Sequence, residues 1–158
     1  MGTLQHIEHQ ISALNDLIRI NNDRITAYKK QSDATEETDL LDIFAILVAQ
    51  SQQNINELID YIHVLGGKPT DGTTLSGKFY HVWINVKSVF AKADRQGLLD
   101  FCESSEDVAK SAYRKALDDK ELIWEDEKVT ALLNRQFEEF KRSHQQVKEL
   151  RDLESTPK

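Results

Sequence analysis

Leu65-Gly66-Gly67-Lys68-Pro69-Thr70-Asp71-Gly72-Thr73-Thr74-Leu75-Ser76-Gly77 holds four of the chain's six glycines, so the strongest interruption of the backbone is concentrated in one place. A glycine pair followed by proline is a helix stop: glycine takes the left-handed turn at the end, and proline cannot continue the hydrogen-bond ladder. Thr70 to Gly77, rich in Gly, Thr, Ser and Asp, then reads as a loop long enough to cross from one end of a helical bundle to the other. Gly66-Gly67-Lys68 lacks the strand context and the spacing of a phosphate loop, so the helix-stop reading wins over a nucleotide site.

On both sides of this crossover apolar residues recur at steps of three and four, with no sustained alternation of period two, which predicts helices and no sheet. Upstream, a first helix over about Thr3 to Gln31 carries the seam Ile7, Ile11, Leu14, Ile18, Ile25 and Tyr28. Ser32-Asp33-Ala34-Thr35 connects it to a second, begun near Glu36 and Glu37, whose charges suit the positive end of a helix dipole. Leu40, Phe44, Leu47, Leu58, Tyr61 and Leu65 form that seam. Downstream, Lys78 to about Ala93 predicts a short extra helix with Phe79, Val82, Trp83, Val86 and Phe90 on one side. Asp94 then caps a third long helix, ended by Asp118-Asp119-Lys120 and marked by Leu99, Cys102, Ala109, Tyr113 and Ala116. A fourth covers about Glu121 to Leu153, with Val129, Leu133, Phe137, Phe140 and Val147 inside, and Ser155-Thr156-Pro157-Lys158 forms a fraying tail.

Four long helices with one long connection between the second and third predict an all-α, single-domain four-helix bundle over residues 1–154, with 155–158 as a disordered tail. The 158 residues can bury roughly two thirds of the unfolded surface, so a core forms without disulfide or metal. Twenty basic against 27 acidic side chains give a net charge of −7, which disfavours nucleic acid and anionic lipid as partners. Cys102 is the single cysteine, no export signal is evident, and the longest apolar run is far too short to cross a bilayer. A cytoplasmic protein is expected.

The seams are polar near mid-length. Asn21 lies between Ile18 and Ile25, Ser51 and Asn54 between Leu47 and Leu58, Glu106 between Cys102 and Ala109, and His144 between Phe140 and Val147. Facing helices bring such residues into one layer, the place where bundles build cofactor and metal sites. The leading expectation is an interior hydrogen-bonded layer of Asn21, Ser51, Asn54, Glu106 and His144 that fixes register, with no cofactor. The alternative is one Fe, Mn or Zn ion held by Glu106 and His144 with Glu103 and Asp107. A buried Glu106 needs a partner, for which His144 is the nearest candidate.

Other candidates are weaker. Cys102 on an apolar face reads as a packed thiol, His6 and His9 around Glu8 as solvated, and His63 and His81 as isolated. The stripe Phe79, Trp83, Val86 and Phe90 is either a lid on the bundle end or an interface between protomers, and a homo-oligomer, a dimer, is expected. Two internal echoes run through the chain. Thr26-Ala27-Tyr28-Lys29-Lys30 resembles Ser111-Ala112-Tyr113-Arg114-Lys115, and Asn56-Glu57-Leu58 resembles Lys148-Glu149-Leu150.

A set of motifs carries a further resemblance. They are Leu14-Asn15-Asp16-Leu17-Ile18 with Asn21-Asn22-Asp23 and Tyr28; Gln50-Ser51-Gln52-Gln53 with Glu57-Leu58 and Leu65 to Pro69; Cys102-Glu103, Glu106-Asp107 and Ala112-Tyr113; then Arg135-Gln136-Phe137, Lys141, His144 and Leu150-Arg151-Asp152. With these, nearly the whole chain resembles a bacterial family of uncharacterised four-helix bundles in the ferritin-like superfamily. The resemblance implies an up-down-down-up bundle and no established activity. The superfamily's di-iron pattern places a glutamate on helices one and three and Glu-x-x-His on helices two and four. At those positions stand Asn21 and Glu106, each seven residues before a tyrosine, then Ser51-Gln52-Gln53-Asn54 and Ser143-His144-Gln145-Gln146, with His144 one residue out of place. A non-enzymatic module with a structural, stress-related or partner-binding role is the resulting expectation.

Overall fold

The Leu65-Gly66-Gly67 stop closes a helix in the computed structural model, which describes residues 3–73, 94–122, 124 and 126–155. Gly66 takes φ +79°, its N–H donates to His63 O at 3.0 Å, and Gly67 N–H reaches back to Ile62 O at 2.9 Å. This is the paired end bond of a Schellman motif. Gly67 also lets the chain pass close to the first helix: a Cβ there would lie 2.7 Å from Ile11 Cδ1.

The described helices are α1 (Thr3–Ser32), α2 (Thr38–Val64), α3 (Arg95–Asp118) and α4 (Glu127–Ser155). α1 packs most extensively on α2 and α3 on α4; the two hairpins meet along α1 and α3, and α2 touches α4 over a shorter length. Side-chain pairs fix the directions. Asn21 meets Tyr113 while Tyr28 meets Glu106, so α1 and α3 are antiparallel. Asn54 pairs with Asn21 and Arg24 with Ser51, so α1 and α2 are antiparallel, and Gln50 with Ser143 and Asn54 with Gln136 set α2 against α4 in the same way. The result is an all-α, up-down-down-up four-helix bundle.

The crossover begins where the glycines place it. Asn15 Nδ2 donates to Lys68 O (3.1 Å), its Oδ1 accepts from Thr70 N–H (2.8 Å), and Asn22 Nδ2 donates to Gly72 O (2.9 Å). The chain therefore runs back along α1 toward the end at which α3 starts. The short helix expected over Lys78 to Ala93, and with it Phe79, Trp83, Val86 and Phe90, lies outside the described residues. At the far side Asp94 Oδ1 accepts from Gly97 N–H at 2.7 Å and caps α3, satisfying a first-turn donor that has no partner within the helix. Arg95 ties this end to the start of α2, pairing with Asp39 (2.7 Å) and Glu37 (3.2 Å).

The sequence places the start of the last helix near Glu121; the structure delays it to Glu127. Local bonds compete with the helix. Asp119 accepts the N–H groups of Glu121 and Leu122 in a turn, Trp124 Nε1 donates to Ala116 O at 3.2 Å, and Leu122 is buried. Asp126 then accepts Lys128 N–H (2.9 Å) and takes the Tyr61 hydroxyl on its other oxygen (2.9 Å). An aspartate able to bond two residues ahead favours a cap over a helix interior.

Two apolar clusters fill the bundle. One includes Leu14, Leu17, Ile18, Leu58, Ile62, Ala109, Leu133 and Phe137, and the other Tyr28, Leu40, Phe44, Leu47, Leu99, Cys102 and Val147. Between them the buried residues turn polar, at Ser51 and Asn54 on α2, Ser105 and Glu106 on α3 and Ser143 on α4.

Candidate functional site

That polar belt consists of two tiers, each touching all four helices. In the first, Arg24 of α1 is fully buried. Its Nε donates to Glu106 Oε2 at 2.8 Å and its Nη2 to Glu106 Oε1, a bidentate fork. Nη1 donates to Ser51 Oγ (2.9 Å) and Leu47 O (3.2 Å), and Nη2 also to Gln50 Oε1 (3.2 Å), so all five guanidinium donors have protein acceptors. Glu106 takes a third bond from the Tyr28 hydroxyl at 2.9 Å. Ser143 of α4 closes the tier by donating to Gln50 Oε1 at 3.2 Å. The Phe140 ring lies beneath the guanidinium, with Arg24 Cζ 4.5 Å from its centroid.

The second tier is a ring of amides and one phenol. Asn54 Nδ2 donates to Asn21 Oδ1 (3.3 Å), Asn21 Nδ2 to the Tyr113 oxygen (2.9 Å), and the Tyr113 hydroxyl to Gln136 Oε1 (2.6 Å). Gln136 Nε2 returns to α2 at Asn54 O (3.4 Å) and Glu57 Oε1 (3.3 Å). The echo between Thr26–Lys30 and Ser111–Lys115 acquires a structural sense here. Each tyrosine crosses the α1–α3 interface to the polar residue that stands seven positions before the other tyrosine, Tyr28 to Glu106 and Tyr113 to Asn21.

Asn21, Ser51, Asn54 and Glu106 all lie in this belt, but His144 does not. Its place on α4 is taken by Ser143 and Gln136, while His144 turns toward α3, where Nε2 lies 3.0 Å from Asp107 Oδ1 and 3.7 Å from Glu103 Oε1. The expected partnership of Glu106 with His144 is therefore corrected: Glu106 pairs with Arg24. Of the four residues in the alternative metal set, Glu103, Asp107 and His144 come together and Glu106 stays in the interior belt. Arg24, Gln50, Gln136 and Ser143 complete the belt beyond the residues expected there. Arg24 sits three residues after Asn21 and four before Tyr28, which is seam spacing, and this was the available clue.

The layer does not fit the di-iron set that the ferritin-like resemblance implies. Carboxylates are replaced by Asn21 and Ser51, and a guanidinium fills the space beside the surviving glutamate. Its positive charge already neutralises Glu106 and repels a further cation. Burial opposes the charge on Arg24, but Glu106 more than compensates and holds it protonated.

Cys102 is a free, fully buried thiol, and burial pushes its pKa well up, with the Glu106 charge adding to it, which disfavours the thiolate. Burial likewise raises the Tyr28 hydroxyl, again with Glu106 adding, and the Tyr113 hydroxyl. These raised values make stability fall at alkaline pH. The unfolded chain ionises from about its ordinary values, 9.0 for the thiol and 10.0 for the phenols, while the folded chain keeps its protons. Their contribution is complete below pH about 9 and is lost progressively above it. The urea midpoint should fall steadily from pH about 8.5 to 10.5, and Cys102→Ala should delay the onset. A flat midpoint over that range would contradict the burial of all three groups.

No curated protein matches this sequence. No solved structure matches it either. A family model does match, over residues 9–119, which covers most of α1, all of α2 and α3, and the crossover between them. The chain belongs to the family described as Domain of unknown function (DUF2383).

Proposed function

We propose that this chain is a non-enzymatic, ferritin-like bacterial module, cytoplasmic and homo-oligomeric as a dimer, which acts as a structural, stress-related or partner-binding protein. The observation that carries this is the closure of the interior. All five Arg24 donors are bonded to protein, and Glu106 accepts three bonds on its two oxygens. The two charged groups of the belt are spent on each other and on their neighbours, and the bonds of the belt join both hairpins in a fixed register. No described helix is long and apolar enough to cross a membrane. The net charge of −7 supports a protein partner over nucleic acid.

Stopped-flow mixing of the protein with Fe(II) in oxygenated buffer tests the reading. Oxidation should follow the protein-free rate, and acceleration that disappears in Glu106→Gln would overturn the non-enzymatic assignment. Sedimentation velocity should give a dimer, and a monomer throughout the micromolar range would overturn self-association.

A further inference from the structure

Glu103 and Asp107 are four residues apart on α3, so their carboxylates share one face, and His144 of α4 reaches into the gap between them. One ligand atom from each of the three lies within 4.8 Å of the other two. Zn–N and Zn–O bonds of about 2.0–2.2 Å make the edge of a tetrahedral site about 3.3 Å. The observed 3.0 Å from His144 Nε2 to Asp107 Oδ1 and 3.7 Å to Glu103 Oε1 straddle that edge.

His144 Nε2 supplies a second observation. It is a buried atom without a hydrogen-bond partner, although a carboxylate oxygen stands 3.0 Å away. Buried ring nitrogens are ordinarily satisfied, and this one has two anionic oxygens beside it without forming a hydrogen bond to either. His144 and Glu103 are only 15% and 16% exposed, whereas Asp107 is 56% exposed and leaves the gap open to solvent.

We propose that Glu103, Asp107 and His144 form a mononuclear site for a divalent first-row transition ion, of which Zn(II) is the best match, on the α3–α4 face and independent of the interior belt. One imidazole and two carboxylates, with the remaining positions left to water, suit such an ion better than Mg(II) or Ca(II), which take oxygen ligands in larger number. Lys110 Nζ stands 3.7 Å from Asp107 Oδ1, and Arg151 is the counter-charge at Glu103. Its guanidinium is ion-paired with Glu103 Oε2, on the far side from the Oε1 atom that faces His144, and lies 3.9 Å from Asp100. It offsets the negative charge that the ion would otherwise meet, so it lowers affinity. Among the described residues a second three-residue group, His9, Asp119 and Glu121, also has an unpartnered ring nitrogen but is more open to solvent, with His9 and Asp119 37% and 33% exposed.

The test is calorimetric titration of the tag-free full chain with Zn(II), with Co(II) absorption as a probe of the ligand field. A single equivalent should bind. His144→Ala and Asp107→Asn should each weaken binding by about tenfold or more, His9→Ala should leave it unchanged, and Arg151→Gln should tighten it several-fold. Zn(II) should also raise the melting temperature of the parent protein and not that of His144→Ala, while the two melt alike without metal. Absence of saturable binding, binding that survives His144→Ala, or binding lost in His9→Ala would each overturn the proposal. None of these results bears on iron oxidation in the interior, so the two proposals fail separately.

Discussion

Glu106→Ala should destabilise the protein by ~3–5 kcal/mol in urea denaturation, because it leaves the Arg24 guanidinium buried without its counter-charge. Both side chains of this pair are fully buried, so solvent screening offers no relief. Arg24→Met should cost a similar amount for the reciprocal reason: the carboxylate keeps only the Tyr28 hydroxyl among its three donors. Changing both residues together should cost much less than the two single changes added. Removing a buried pair outright spares the desolvation of both ions, and apolar replacements of similar volume are often neutral or better. A double-mutant cycle with Arg24→Met and Glu106→Leu reads this coupling directly. A loss below about 1 kcal/mol in Glu106→Ala would mean that water reaches the guanidinium and that the belt is not the closed structure described.

Phe140→Ala should have the next largest effect, ~3–5 kcal/mol, with Phe140→Leu recovering much of it. Phe140 is 1% exposed and joins the apolar cluster of Leu14, Leu58 and Leu133 to the belt: the Tyr113 ring lies 4.9 Å away centroid to centroid, and Arg24 sits over its face. Truncation to alanine opens a cavity beside a buried charge and removes a cation–π contact that alone contributes about 2 kcal/mol when desolvated. Leucine keeps apolar volume but has no ring face, so the residue of the loss in Phe140→Leu estimates the aromatic share. An alanine variant within about 1 kcal/mol of the parent in the same urea experiment would show that the site collapses without penalty.

Both variants probe a layer that was only partly readable beforehand. Asn21, Ser51, Asn54 and Glu106 announced themselves as polar residues at apolar seam positions, and all four are buried. Arg24 did not, because an arginine on a helix is ordinarily solvent-facing. Its burial depends on a glutamate 82 residues away on α3, and no local pattern encodes that pairing. His144 shows how small the margin is. One residue of helix is about 100° of rotation, enough to move a side chain from the interior to the neighbouring groove. The seam through α4 passes through Gln136, Phe140, Ser143 and Val147, and His144 turns instead to Glu103 and Asp107.

By itself the sequence determined four helices, the glycine stop after α2, the Asp94 cap and a crossover that requires the second and third helices to run the same way. These features depend on periodicity and on residues close in the chain, where backbone chemistry is local. Tertiary structure alone decided which polar residues pair, that Arg24 occupies the interior beside Glu106, and that Glu103, Asp107 and His144 meet on the α3–α4 face. It also delayed α4 to Glu127, because Trp124 finds a carbonyl on α3 and Asp126 finds Tyr61 on α2. Contacts between residues distant in the chain depend on helix rotation and register, which packing fixes only once all four helices are in place.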